Sequence, residues 1–246
     1  MLLSIRGLAA WGVGGVDIDV RAGEVLGVAG LVGSGKSRTW RAAVGLLPIK
    51  AGSVSLKGRD VTHAPTRRFV EDGVFYLPPD RKSEGLMLSA TTRRNIDLGA
   101  LERDEASSLL GALSPARLRT ITDNIARRVD IPENYMGRAI STLSGGNQQK
   151  ALFGKGFGRD YDIYIFDEPT VGVDMGTRAA LYRLIKELAE AGKAVVVVSS
   201  DLPEAMNLAH RLVVFSAGRI SAELEGDAIN EETILASFFS HERPDA

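Results

Sequence analysis

The sequence contains no cysteine, which excludes disulfide bonds, thiolate metal sites and cysteine nucleophiles. Only 3 histidines are present, so a histidine-rich metal cage is not expected. A charge excess is also missing, because 30 Lys and Arg oppose 31 Asp and Glu and leave a net charge of -1. This balance provides no global basic field that would hold nucleic acid or an anionic membrane.

Long apolar segments are absent as well. The apolar run Val195–Val198 is far shorter than the ~20 residues that a transmembrane helix needs. The first residues, Met1–Arg6, have neither the basic segment nor the small-residue cleavage site of a secretory signal. The 246 residues suit one large domain or two small ones, and 44% apolar and 25% charged residues are typical of globular proteins. We therefore expect a soluble cytosolic protein.

Glycine, in contrast, is abundant: there are 27 glycines, where about 7% of residues is average. They form clusters at residues 30–35, 145–146 and 154–158. Glycine clusters mark places where the backbone turns sharply or approaches another group closely. The first two clusters belong to motifs described below, whereas the glycines at 154, 156 and 158 have no functional explanation in the sequence.

Short apolar or alternating segments predict strands, and they are separated by segments with helical periodicity. This order favours a largely parallel sheet with right-handed crossovers. Predicted strands lie at 2–6, 16–20, 25–29, 53–56, 74–77, 163–166 and 195–198, and predicted helices include 36–46 and one with a stripe of Leu181, Leu184, Ile185 and Leu188.

Residues 92–140 differ in composition and predict an inserted helical subdomain. Arg, Ser, Asn and Leu dominate this stretch. Apolar residues recur there at helical spacing, which predicts helices rather than strands. They are Leu109, Leu110 and Leu113, followed by Leu118, Ile121 and Ile125.

The segment Gly30–Ser37 matches the phosphate-loop pattern G-x-x-x-x-G-K-[ST] between a predicted strand and a predicted helix. Such a loop points N–H groups at phosphate oxygens, and the helix N-terminus adds positive charge. We expect Lys36 to reach the β- and γ-phosphates and Ser37 to bind Mg²⁺. The alternative is a glycine-rich turn without a ligand. The predicted nucleotide-binding residues of this loop are Gly30, Leu31, Val32, Gly33, Ser34, Gly35, Lys36, Ser37 and Arg38.

An acidic pair, Asp167 and Glu168, follows the predicted strand 163–166. In phosphate-loop proteins a carboxylate at this place holds Mg²⁺, and we expect Asp167 to do so through water. Glu168 points in a different direction and is predicted to act as a general base. Glu168 and Lys36 are the two predicted catalytic residues. The alternative is a cluster at a helix N-terminus. The sequence lacks an Asn-Lys-x-Asp guanine-reading motif, which favours ATP over GTP.

The segment Leu143–Lys150 reads Leu-Ser-Gly-Gly-Asn-Gln-Gln-Lys and predicts a second anion site at a helix N-terminus. One chain does not need two sites for a γ-phosphate. Two facing chains do, because each site then combines one phosphate loop with the Ser-Gly-Gly of the other chain. The alternative is an ordinary Ser-capped helix. The predicted residues of this partner-facing site are Ser144, Gly145, Gly146 and Gln148.

These three motifs, in this order, resemble the nucleotide-binding domain of ABC-type ATPases over nearly the whole chain. The resemblance implies an ATPase that uses ATP and Mg²⁺. It also implies an α/β P-loop NTPase fold of ABC type: a mainly parallel sheet core, a small N-terminal antiparallel β subdomain and an inserted α-helical subdomain. We expect a single domain, 1–246, with the core at 1–91 and 160–246 and the helical subdomain at about 92–159.

Three segments, Asp80–Leu86, Leu143–Lys150 and Ser199–Glu204, look like the second ATP-binding domain of monosaccharide importers of the ribose, xylose or galactose type. That resemblance implies a motor peripheral to the cytoplasmic side of the inner membrane. Its partners would be a second ATP-binding domain, permease subunits docked near 78–98 and, indirectly, a periplasmic sugar-binding protein. Such importers usually join two ATP-binding domains in one chain, so the resemblance implies one half of that unit.

Two positions depart from the family pattern. Pro79 stands near the usual glutamine, and proline has no side-chain amide that could reach Mg²⁺ or water. Ser200, 32 residues after Glu168, replaces the usual histidine and offers no imidazole. The aspartate loop that ends at Asp174 is present, and we interpret His210 as structural or exposed. These features predict ATP–Mg²⁺ binding with slow hydrolysis at the chain's own phosphate loop.

Trp11 lies 25 residues before Lys36, where ABC domains tend to place an aromatic that stacks on adenine. The alternative is a tryptophan packed on the N-terminal sheet. Three functions stay open: an importer motor, a soluble ABC protein that acts on DNA or ribosomes, and an ATP-gated clamp. The second class usually carries long coiled-coil inserts or basic extensions, which are absent here, whereas Pro79 and Ser200 favour the third.

Overall fold

The computed structural model describes residues 1–101 and 113–238. The strands of this part are β1 (Leu3–Ala10), β2 (Val13–Val20), β3 (Val25–Gly30), β4 (Ala51–Leu56), β5 (Arg59–Asp60), β6 (Val74–Leu77), β7 (Ile163–Asp167), β8 (Ala194–Ser199), β9 (Arg211–Ser216) and β10 (Arg219–Glu225). The helices are α1 (Lys36–Ala43), α2 (Thr66–Glu71), α3 (Thr92–Ala100), α4 (Pro115–Arg128), α5 (Gly145–Gly156), α6 (Met175–Glu190), α7 (Leu202–Leu208) and α8 (Glu231–Phe238).

The strands form two sheets, which confirms the predicted fold class. A six-stranded sheet has the order β10-β9-β3-β8-β7-β6, and β3 pairs in parallel with both β8 and β9. A four-stranded antiparallel sheet has the order β2-β1-β4-β5. The parallel strands β3, β7 and β8 are buried along their whole length, which explains their continuous apolar runs.

The chain divides into two compact units. Unit 1 contains residues 1–76, 162–168 and 185–246, and unit 2 contains residues 77–161 and 169–184. Unit 2 is therefore wider than the helical subdomain expected at 92–159. It also takes in the segment that follows β6 and the loop and helix residues 169–184.

The main core of unit 1 is formed by side chains from both sheets and from α1. Trp40 on α1 is fully buried there, together with Ile5, Val28 and Phe215. The α1 helix ends at Ala43, earlier than the predicted residue 46. Gly45 adopts a left-handed φ of 74°, and its N–H donates to the Ala42 carbonyl, which terminates the helix.

The helices of unit 2 follow the predicted periodicity in part. On α4, Leu118 and Ile125 are buried, and Ile121 packs against Ala100 and Leu118. Leu113 was expected on the same helical pattern, but it is exposed and precedes α4, which begins at Pro115. Proline is favoured at the first helical position, so it sets this start. Leu109 and Leu110 lie outside the described residues.

A close crossing of α3 and α5 explains part of the third glycine cluster. A Cβ added to Gly158 would clash with the backbone of Gly99, and one added to Gly99 would clash with the carbonyl of Lys155. At Gly154 a Cβ would lie 3.2 Å from Ile96. These glycines therefore serve helix packing rather than ligand binding.

The stripe of Leu181, Leu184, Ile185 and Leu188 is buried on α6, as predicted. In the described ranges no helix combines the length and the apolar character needed to cross a bilayer.

Substitution of Gly99 by alanine tests this packing. We expect Gly99→Ala to lower the free energy of unfolding by about 1–3 kcal/mol, because overpacking against a backbone carbonyl outweighs the gain in helix propensity. Urea denaturation measures the change. Gly137→Ala is the matched control, because nothing lies within 4 Å of a Cβ at Gly137. Equal midpoints for the two variants would contradict this explanation.

Candidate functional site

The phosphate-loop segment connects β3 to α1, as the motif requires. Gly33 and Gly35 have φ angles of 88° and 98°, a left-handed conformation that L side chains rarely adopt. A Cβ on Gly30 would lie 2.5 Å from Ser34 Oγ and 2.9 Å from the Phe215 carbonyl. The three glycines of the motif are thus required by the shape of the loop, whose next residues open α1.

Lys36 is almost fully buried, yet its ammonium has polar partners. Lys36 Nζ donates to Ser200 Oγ at 2.8 Å and lies 3.0 Å from Glu168 Oε1. A buried ammonium requires such compensation. The lysine predicted to meet phosphate therefore lies beside the carboxylate predicted to activate water.

Ser37 and Asp167, the predicted metal ligands, are brought together in unit 1. Ser37 Oγ donates to Asp167 Oδ1 at 2.7 Å. Asp167 ends β7 and is fully buried, and this burial raises the pKa of its carboxyl group to about 6, against the hydrogen bonds from Tyr76 and Ser37. Its negative charge is thus incompletely compensated by the surrounding protein groups.

Tyr76 is a member of this group that the sequence did not indicate. Its hydroxyl donates to Asp167 Oδ2 at 2.7 Å. The sequence offers no motif for this residue, because Tyr76 belongs to β6 and reaches Asp167 only through the order of strands in the sheet. A tyrosine near the carboxyl end of a strand was the sole available signal.

Glu168 has an unusual backbone for a residue other than glycine, with a φ of 51°. Its carboxylate accepts two hydrogen bonds from Ser200: from the hydroxyl at 2.6 Å and from the backbone N–H at 3.1 Å. A left-handed conformation of this kind costs about 1–3 kcal/mol and persists where neighbouring contacts hold it. Ser200, which replaces the usual histidine of the family, therefore orients the carboxylate of Glu168.

Trp11 is 77% exposed, so it does not pack on the N-terminal sheet, and its ring centroid lies 5.7 Å from Lys50 Nζ. Arg38 donates to the backbone carbonyls of Trp11 and Gly33 at 3.3 and 3.2 Å. Arg38 thereby links the tryptophan's backbone to the phosphate-loop segment. Leu31 and Val32 of the same segment are exposed.

The predicted partner-facing motif opens α5 in unit 2. Ser144 is exposed and caps the helix, since its hydroxyl accepts from the N–H of Asn147 at 3.4 Å. A Cβ on Gly146 would lie 2.5 Å from Thr177 Oγ1 and 3.0 Å from Asp174 Oδ2, so this glycine allows contact with the aspartate loop. Asp174 itself caps the start of α6 through Thr177, and that backbone hydrogen bond lowers the pKa of Asp174.

Gln148 differs from the expectation of a partner contact. Its side chain is buried, and its amide donates to the carbonyls of Leu143 and Ile140 at 3.1 and 3.3 Å. A glutamine in this conformation stabilises the turn before α5 and is not presented to a partner. Pro79 is half-buried two residues beyond β6. His210 is exposed, and its Nδ1 accepts from the N–H of Val25, so it is both structural and exposed.

Comparison with known proteins identifies the family. A family model described as ABC transporter matches residues 13–171. The ribose import ATP-binding protein RbsA 2 of Agrobacterium fabrum is 40% identical over 236 residues, which cover 96% of this chain and 46% of that protein. A putative ribose/galactose/methyl galactoside import ATP-binding protein of Albidiferax ferrireducens is 39% identical, with 96% and 47% covered. The chain thus spans about half the length of the curated relatives it matches.

Solved structures agree on the fold. A dimeric bacterial ABC transporter cassette superposes with a TM-score of 0.81 over 91% of this chain and 98% of that one, at 20% identity. The fold and the phosphate-loop site together define a P-loop nucleotide-binding domain. The chain belongs to the ABC transporter family and is similar to its sugar-import ATP-binding proteins.

Removal of the Tyr76 hydroxyl tests its role at Asp167. Above a pH of about 6 the Asp167 carboxyl group is ionised and uses the donor fully. We expect Tyr76→Phe to lower the free energy of unfolding at pH 8 by about 1–3 kcal/mol, because a buried carboxylate loses a hydrogen bond. At pH 5 the carboxyl group is mostly protonated and the difference should shrink.

Urea denaturation at both pH values measures the effect. The control is Tyr135→Phe, which removes a hydroxyl from a half-buried tyrosine of unit 2 whose ring lies against Arg138. A Tyr76→Phe difference that is independent of pH would contradict the assigned hydrogen bond.

Proposed function

We propose that this chain is an ATP-binding and ATP-hydrolysing motor domain that energises import of a monosaccharide across the cytoplasmic membrane. One observation carries the catalytic part of this proposal: the phosphate-loop residues Lys36 and Ser37 are in contact with Glu168 and Asp167, respectively. The similarity to sugar-import ATP-binding proteins at about 40% identity supports the transport part.

The donor set suits Mg²⁺, a hard cation that takes oxygen ligands from one or two carboxylates, phosphates and water. Ser37 and Asp167 supply a hydroxyl and a carboxylate 2.7 Å apart, and the carboxylate is poorly compensated by the protein. These two residues would hold the ion, which would supply Lewis-acid stabilisation of negative charge on the nucleotide. The protein's own contribution is to bind phosphate through the loop N–H groups and Lys36 and to present Glu168 to the attacking water.

Ser144, Gly145 and Gly146 are proposed to contact the nucleotide of a second ATP-binding domain, in the same chain or in another. The exposed serine and the helix N-terminus behind it fit an anion. We leave Gln148 out of this contact because its amide is engaged within unit 2. The other proposed partners are permease subunits, docked near residues 78–98 on the cytoplasmic side of the membrane, and indirectly a periplasmic sugar-binding protein.

Trp11 is proposed to stack on adenine. Its exposed ring and its backbone link to Arg38 support this role. A stacked base is worth about 1–3 kcal/mol in comparable sites.

Hydrolysis at the chain's own phosphate loop is proposed to be slow, which would make the chain the weaker, ATP-gated half of an asymmetric pair. Pro79 offers no amide, and the Ser200 hydroxyl is already committed to Glu168. Glu168 itself is in place, so the site is weakened rather than lost.

Loss of the phosphate-loop lysine tests nucleotide binding. We expect Lys36→Ala to weaken ATP–Mg²⁺ binding by about tenfold or more, because charge-assisted contacts to phosphate are lost. Calorimetric titration of the chain with ATP and Mg²⁺ measures the affinity. Lys186→Ala removes an exposed cation of α6 in unit 1 and should bind like the unaltered chain. Similar affinities for the two variants would refute the proposed site.

A pair of substitutions tests the asymmetry. In this chain mixed with a second ATP-binding domain, we expect Ser144→Arg to lower ATP turnover by about a hundredfold, since it blocks preorganised donors at a charged transition state. Glu168→Gln should lower turnover less, because its own site contributes little. Steady-state phosphate release measures both. A larger loss in Glu168→Gln than in Ser144→Arg would show that the chain's own site is the more active one.

A further inference from the structure

The segment Asp80–Leu86 resembles the importer ATPases, but no role in the proposed chemistry accounts for it. In the structure it forms a π-helical turn at Arg81–Gly85. The Asp80 carboxylate opens the turn by accepting from the N–H groups of Lys82 and Ser83 at 2.8 and 3.2 Å. These hydrogen bonds fix the backbone of the turn and, with it, the position of the Arg81 Cα atom.

The far end of this turn is attached to α5. Lys155 Nζ donates to the Gly85 carbonyl at 2.6 Å, and a Cβ on Gly85 would lie 3.0 Å from Leu152. Lys155 is largely shielded from solvent, and this desolvation lowers the pKa of its ammonium group. The turn thus packs along the carboxyl-terminal half of α5.

The near end carries Arg81, which connects two further segments. Arg81 Nη1 donates to the Val171 carbonyl at 2.8 Å, and Arg81 Nε donates to Gln148 Oε1 at 3.4 Å. A Cβ on Gly145 would lie 2.8 Å from Arg81 Nη2 and 2.9 Å from the Gly172 carbonyl. The guanidinium therefore lies against the first residue of α5 and the loop that leads to Asp174.

A second bond joins the same two segments. Gln149 Nε2 donates to the Pro169 carbonyl at 2.7 Å and is buried. This bond fixes α5 one turn along the helix but does not reach its first residues. Arg81 is the described side chain that bridges Val171 and Gln148, beside the amino end of α5.

We propose that Arg81 is a positioning residue that joins the amino end of α5 to the loop Val171–Asp174, so that Ser144, Gly145 and Gly146 are presented as one preformed surface. The inference rests on the proposed role of that surface toward a second domain's nucleotide. A planar guanidinium with several fixed donors suits this bridge, and a lysine, with a single charged nitrogen, does not reproduce it. Preorganisation of this kind acts on turnover, because donors that are already in place need no rearrangement at the transition state.

Steady-state kinetics on this chain paired with a second ATP-binding domain test the proposal. We expect Arg81→Ala to lower kcat by about tenfold or more, the effect of losing a charge-assisted hydrogen bond. KM for ATP should change by less than about twofold, because the phosphate loop belongs to unit 1 and Arg81 to unit 2. Arg81→Lys should recover only part of kcat. Arg183→Ala, which removes an exposed arginine of α6 in unit 2, should match the unaltered chain.

Hydrogen exchange on the chain alone gives a second readout if Arg81→Ala is poorly folded. In Arg81→Lys, amides of residues 145–148 and 171–173 should exchange faster while those of β3 and β7 stay protected. Unchanged kcat in Arg81→Ala, equal losses in Arg81→Ala and Arg183→Ala, or unaltered exchange in Arg81→Lys would each overturn the role of Arg81.

Ser144→Arg separates this inference from the proposed function. If Ser144→Arg leaves turnover unchanged, the partner-facing role of α5 fails and the inference fails with it. If Ser144→Arg abolishes turnover while Arg81→Ala does not alter it, the proposed function stands and only the role of Arg81 is wrong.

Discussion

The burial of Asp167 is the constraint on which the phosphate-loop site depends. Its strand, β7, is buried along its whole length and pairs in register with β8, with Asp167 opposite Val198. A carboxyl group at the end of such a strand cannot reach water, so its neighbours must supply the hydrogen bonds. Ser37 and Tyr76 do so from two other parts of unit 1, yet burial still dominates the pKa of the group. This residual imbalance makes the position suitable for a cation.

The carboxylate of Glu168, the residue after Asp167, contacts a different set of partners. Its left-handed backbone directs the carboxylate away from the path of β7, toward Lys36 and Ser200. The hydroxyl and the N–H of Ser200 donate to this carboxylate, and the ammonium of Lys36 lies beside it. These contacts offset the free-energy cost of the left-handed backbone. The spacing of 32 residues identified Ser200 as the replacement of the usual histidine, and the structure adds that Ser200 contacts Glu168. The sequence could not show that the serine donates to the glutamate, because this depends on the χ angles of both residues.

Local patterns were sufficient for most of the fold. Apolar runs predicted β3, β7 and β8, and the phosphate-loop motif predicted the connection between β3 and α1. Features that depend on contacts between distant segments were not predictable in this way. Tyr76 meets Asp167 through strand order, and Gly99 and Gly158 are required by the crossing of two helices. Likewise, the amide of Gln148 was expected at a partner surface, whereas it completes the turn before α5.

Gly145 and Gly146 show that the residues of one sequence motif can serve packing as well as ligand binding. The pair Gly145 and Gly146 was interpreted as a set of free N–H groups for phosphate. In the folded unit both positions also lie where a side chain would collide, with Arg81 and Gly172 in one case and with Thr177 and Asp174 in the other. A larger residue would separate α5 from the aspartate loop even where its N–H group stayed accessible. Close packing therefore requires glycine at both positions, in addition to the anion access that we propose for them. The packing requirement holds in the protein without a nucleotide, because it is satisfied entirely within unit 2.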